Sequence, residues 1–124
     1  MEQMKREQVK NAIKEWLIEI DKSEKLPKDI IALNFGLFEP YGVELIGSES
    51  YDAEDDDWAC EEDFVPKQRI CPNIEISDTV HWATVLQDIS GILKEIIIEG
   101  ADITILQTEH ITAGFCDGDL VIIK

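Results

Sequence analysis

With 124 residues the chain has the size of one ordinary domain, and 44% hydrophobic against 31% charged residues describe a globular rather than a disordered chain. Twenty-seven acidic side chains against eleven basic ones leave a formal charge of −16. That balance repels phosphate backbones and anionic membranes, so direct nucleic-acid or membrane binding is not expected, whereas basic partners and cations are favoured.

The N-terminal run MEQMKREQVKNAIKEW is charged and has no apolar core of the kind a signal peptide needs. No apolar run approaches the roughly 20 residues of a membrane span. A cytoplasmic protein is therefore expected. Cys60, Cys71 and Cys116 are odd in number and form no CxxC pair. Neither a disulfide framework nor a zinc ribbon is signalled.

In chain order, the first expected element is a helix over about residues 3–21, where Val9, Ile13, Trp16, Leu17 and Ile20 recur at helical spacing. Ile30–Phe38 and Gly42–Gly47 are apolar and flank a Glu-Pro-Tyr turn, so they read as strands of one hairpin. Gln68–Ile76 reads as a further strand, restricted by Pro72 to an edge or a bulge. A second helix is expected from about Asp78 to Glu99. Ser77 or Asp78 would cap it, Ala83, Leu86, Ile89, Leu93, Ile96 and Ile97 would be buried, and Gly100 would stop it.

Ile103–Gln107, Ile111–Cys116 and Leu120–Ile123 read as strands, with Asp117-Gly118 as a two-residue hairpin turn. No internal repeat or linker interrupts residues 1–124, which are expected to form one α+β domain. Its order is α-β-β-α-β-β-β: a mainly antiparallel sheet of about five strands packed with two long helices. The placement of those helices on the sheet stays open at this point.

Charge is concentrated in one segment, ESYDAEDDDWACEED, residues 49–63. Nine of its fifteen residues are acidic and none is basic, which leaves −7 for the other 109 residues. Carboxylates packed this densely repel one another unless water, a cation or a basic partner compensates. Interleaved aromatics, Tyr51 and Trp58 within the segment and Phe64 just beyond it, favour a recognition surface over a purely solvated loop. The residues expected to touch a partner are Glu49, Tyr51, Asp52, Glu54, Asp55, Asp56, Asp57, Glu61, Glu62 and Asp63. Trp58 is read as a core-facing pin that holds the segment while its acids face outward.

Other chemistry is weakly signalled. Asp52, Glu54 and Asp56 alternate and Asp63 stands at the twelfth place from Asp52, but an EF-hand needs glycine at the sixth place, where Asp57 stands. His81, His110 and the three cysteines match no metal-ligand spacing, and no nucleophile, phosphate-binding or metalloprotease motif is present. No catalytic residue, metal ligand or cofactor is assigned, and a non-enzymatic binding protein is expected. The alternative is an accessory acidic domain, or a calcium-dependent module without inhibitor role. Oligomeric state stays open.

The runs VELIGSESYDAEDDDWACEEDFVP (43–66) and AGFCDGDLVII (113–123) resemble motifs of small acidic immunity-type proteins from bacterial polymorphic toxin systems, over about a third of the chain. The resemblance implies a cytoplasmic inhibitor that blocks a cognate effector, often a nuclease with a basic cleft. The acidic segment would there stand in for the phosphates of the substrate.

Overall fold

The computed structural model describes residues 6–100, 102–115, 118 and 120–124, and for Asp56 the backbone alone. Two helices pack with a four-stranded mixed sheet, an α+β arrangement. Helix α1 spans Arg6–Ser23, and the residues of its expected stripe, Val9, Ile13, Trp16, Leu17 and Ile20, are all buried. The expected beginning of the helix, residues 3–5, lies outside the described residues.

Strands β1 (Ala32–Phe38) and β2 (Gly42–Ser48) form the expected antiparallel hairpin, in register from Ala32 opposite Ser48 to Phe38 opposite Gly42. Strand β3 (His110–Phe115) lies on the other side of β1 and runs parallel to it, and β4 (Val121–Ile122) pairs antiparallel with β3. The spatial order is β2-β1-β3-β4. The parallel pair exists because helix α2 (Trp82–Glu99) carries the chain back across the sheet before β3 begins.

Strand parity separates the two faces. Leu33, Phe35, Leu37, Val43, Leu45, Ile111 and Ala113 join the buried stripes of both helices in one apolar cluster, so α1 and α2 share a face. Trp16 meets Phe35 edge-on at 6.2 Å between ring centres. Between the helices, Lys10 bridges Glu95 (3.2 Å) and Glu99 (2.9 Å), and Arg6 also pairs with Glu95.

Five expectations are corrected. The sheet has four strands, not about five, and it is mixed. Ile103–Gln107 is no strand: Thr104–Gln107 forms a 3-10 turn. Two adjacent residues, Ile105 and Leu106, are both buried there, which a strand facing one core cannot arrange. The Asp21 carboxylate accepts the Thr104 and Ile105 amides, both at 3.0 Å. Gln68–Ile76 forms no strand: Ile70 bridges Glu44, Ile76 is a separate bridge position, and Pro72 and the left-handed Asn73 (φ 65°) turn the chain between them. Its neighbourhood still serves the sheet, because Phe64, Arg69 and Cys71 hydrogen-bond the free backbone edge of β2.

Helix α2 begins later than expected, and its cap is His81, whose Nδ1 accepts the Ala83 N–H at 3.1 Å. Ser77 instead closes a preceding turn by accepting the Thr79 and Val80 amides. Ala83 is exposed, and Val85 and Ile92 fill the buried stripe. The β3–β4 connection is longer than a two-residue turn, since pairing ends at Ala113 opposite Val121. Gly118 donates its N–H to the Phe115 carbonyl at 3.1 Å; Cys116 and Asp117 lie outside the described residues.

Candidate functional site

The face of the sheet turned away from the helices carries Ala32, Asn34, Gly36, Glu44, Ile46, Ser48, Thr112 and Gly114. Small and polar residues dominate it, and residues 49–63 are laid against it. The segment leaves β2 at Ser48 and places Tyr51 flat on His110 of β3, 3.8 Å between ring centres and 4° between planes. Trp58, 5.2 Å from Tyr51, is 3% exposed although it belongs to no part of the helix-side core. Phe64 then pairs with Gly47 and returns the chain to the β2 edge. Trp58 is thus the pin that the sequence led one to expect.

The pinned segment resolves part of its own repulsion. Asp52 accepts the Glu54 N–H (2.9 Å), and Asp55 accepts the Asp57 N–H (3.0 Å) as cap of the 3-10 turn Asp56–Cys60. Asp63 accepts the Glu49 N–H at 2.9 Å, closing the two ends of the segment on each other. Glu61 accepts the Ser50 hydroxyl at 3.2 Å. Amide and hydroxyl donors stabilise the ionised form without neutralising it.

Glu62 differs from the rest. It takes a two-pronged contact from Arg69 (3.0 and 2.6 Å), and Arg69 also donates its Nε–H to Glu44 at 2.6 Å. The bond from Arg69 holds the Glu62 carboxyl below the usual carboxylate range. Glu62, then Glu44, push the Arg69 guanidinium further up. Among the described residues this is the one ion pair of the segment.

Of the expected contact residues, Glu49, Asp52, Glu54, Asp55, Asp57, Glu61, Glu62 and Asp63 are exposed on this segment, and Tyr51 is half-buried beneath them. Asp56 stands at the start of the turn, with its side chain outside the described residues. Asp52, Asp55 and Asp63 bind separate amides, and among the described residues no three acids, histidines or cysteines gather as a metal-ion cluster. Cys60 is an exposed free thiol. Burial pushes the Cys71 thiol up to about 12.

Beside the segment lies a groove of about 250 Å³ floored by Gly36 and Gly114, with Glu44 and Arg69 on one wall and Cys60 on another. Gly36 keeps the floor open, because a Cβ there would come within 3.2 Å of the Glu44 side chain. Phe115, Gly118 and Leu120 also line a second, more apolar cavity of about 490 Å³, whose other walls include Glu39, Trp82 and Leu86. Sequence reasoning missed this second cavity for a physical reason. Trp82 lies outside the buried stripe expected from the sequence and is 52% exposed at the first turn of α2, but nothing local in the sequence sets it against Phe115, 33 positions away. Arg69 and Glu44, far apart in sequence, also gave no signal. No helix among the described residues is long and apolar enough to cross a membrane. Comparison with protein families, with curated proteins and with solved structures gives no match to this chain.

Proposed function

We propose that this chain is a non-catalytic binding protein, an immunity-type inhibitor of bacterial origin that neutralises a cognate toxin in the cytoplasm through the acidic surface Glu49–Asp63. One observation supports the reading above others. Glu49, Asp52, Glu54, Asp55 and Asp57 are exposed on a segment fixed by the buried Trp58, with Glu62–Arg69 as the one ion pair among its described residues. A pre-formed anionic surface attracts a basic cleft at long range and loses little entropy on docking. The same charge disfavours nucleic acid as a direct ligand.

The test takes the product of the gene beside this one, which the proposal expects to carry a toxin-like domain, and follows its association by stopped flow. The expected on-rate falls steeply between about 50 and 500 mM salt. Replacing Asp55, Asp56 and Asp57 together by asparagine should slow association about tenfold. Asparagine keeps the cap at position 55, so the melting temperature should hold. An on-rate indifferent to both salt and the triple replacement would overturn the proposal, and so would a neighbouring effector that does not bind.

A further inference from the structure

The second cavity is more specific in its chemistry than the acidic segment. Trp82 and Phe115 meet at 85° with 6.1 Å between ring centres, two perpendicular walls of a corner. Tyr41 stands behind Phe115 at 6.3 Å and 65°, its hydroxyl tied to the Val80 carbonyl. The other walls include Leu86, Leu120 and Val121, and among the described residues the one charged group in the lining is Glu39. Burial, then the negative charge of Glu39 and Asp78, pushes the Tyr41 phenol up.

Glu39 is exposed at the edge of the cavity and gives it a negative rim, and an anion would meet that carboxylate and the −16 of the whole chain. A cation satisfies both features, since aromatic faces attract positive charge and a carboxylate completes the pairing. A guanidinium fits better than an ammonium. It is planar, stacks on an aromatic face, is weakly hydrated and can bind a carboxylate through two N–H groups.

We infer that the Trp82–Phe115 corner, closed by Glu39, is a receptor for an arginine side chain of the basic partner. The inference rests on the proposed inhibitor reading and deepens it. The acidic segment speeds encounter, and the aromatic corner holds one arginine and slows dissociation. The corner shares Phe115, Gly118 and Leu120 with the groove beside the acidic segment, so the two sites are neighbours on the surface. An exposed tryptophan beside such a groove is the residue type that most often dominates binding energy.

The experiment is a titration of the full chain with N-acetyl-arginine amide, read from the indole N–H signals by NMR. Trp16 and Trp58 are buried and serve as internal controls. The expected result is a saturable shift of the Trp82 indole alone. The uncharged isostere N-acetyl-citrulline amide should bind about tenfold more weakly or not at all. Glu39→Gln, read from the Trp82 indole, and Trp82→Leu, followed by calorimetry because it lacks that indole, should each weaken the arginine probe about tenfold, while the Asp55, Asp56, Asp57 triple asparagine variant should bind it nearly as wild type. Equal shifts from citrulline, tighter binding of N-acetyl-lysine amide, or no saturable shift would overturn the inference. A chain that binds the arginine probe but no neighbouring effector would instead refute the inhibitor reading and leave the arginine receptor standing.

Discussion

Along β1, Leu33, Phe35 and Leu37 face the helices, whereas Ala32, Asn34 and Gly36 face the acidic segment. The helix side is continuous and apolar, so its energy is spread over many contacts and its shape follows from exclusion of water. The other side is built from small residues, hydrogen bonds and a single tryptophan, so a few groups decide its geometry. Robust folding and a shaped, charged surface are therefore assigned to opposite faces of the same four strands. Changes on one face should affect stability, and changes on the other should mainly affect order and recognition.

The largest expected effect tests the helix side. Phe35→Ala removes a ring that is fully buried against Trp16 and should cost about 3–5 kcal/mol in urea unfolding. Trp58→Ala probes the opposite face. Because its packing neighbour Tyr51 is only half-buried, a cost of about 2–3 kcal/mol is expected. The distinguishing readout is hydrogen exchange at the Glu61 amide, which donates to the Trp58 carbonyl, and at the Gly47 and Phe64 amides. These should lose protection more than the amides of β1, and equal loss throughout would abolish the contrast between faces. Asp63→Ala is smaller again, less than about 1 kcal/mol, because the Glu49 N–H it leaves can turn to water. Its signature is faster exchange of that one amide.

The smallest effect concerns the helix pair and appears only in acid. Arg6, then Lys10, hold the Glu95 carboxyl at about 2, below its ordinary 4.5. A depressed folded-state value means the contribution is complete above 4.5 and disappears as pH falls towards 2. Urea midpoints measured across that window should decline for the wild type. Part of the decline should vanish in Glu95→Gln, and identical slopes would show that the exposed pair contributes nothing.

Both helices and the first hairpin were legible because each carries an apolar period long enough to decide its own conformation. Trp58 was legible for the opposite reason, as one large apolar side chain among acids with no other use for it. What escaped depends on residues that meet only in three dimensions. The Ile103–Gln107 run alternates like a strand, but Asp21 of the first helix supplies the acceptors that curl it into a turn. His81 as a cap displaced two better capping residues upstream, because Ser77 was already occupied with its own turn. Parallel pairing of β1 with β3 has no local signature at all. The acidic residues expected as contacts in 49–63 could be named from charge alone, but not that Glu62 would be claimed by Arg69, or that an aromatic corner would line a neighbouring cavity.

The central strand pair also governs when this molecule can assemble. The bond from the Thr112 hydroxyl to Asn34 in the middle of the sheet joins positions 78 apart, and β1 remains without its second neighbour until the chain through Phe115 has left the ribosome. Until then the nascent chain holds a hairpin and two helices with an uncovered strand edge between them. Closure of so long a loop places folding towards the slower, millisecond-to-second end for a domain of this size. Vectorial synthesis therefore delivers β3 late, and with it His110 and Phe115, so Tyr51 gains its stacking platform and Trp82 its facing ring in the same event.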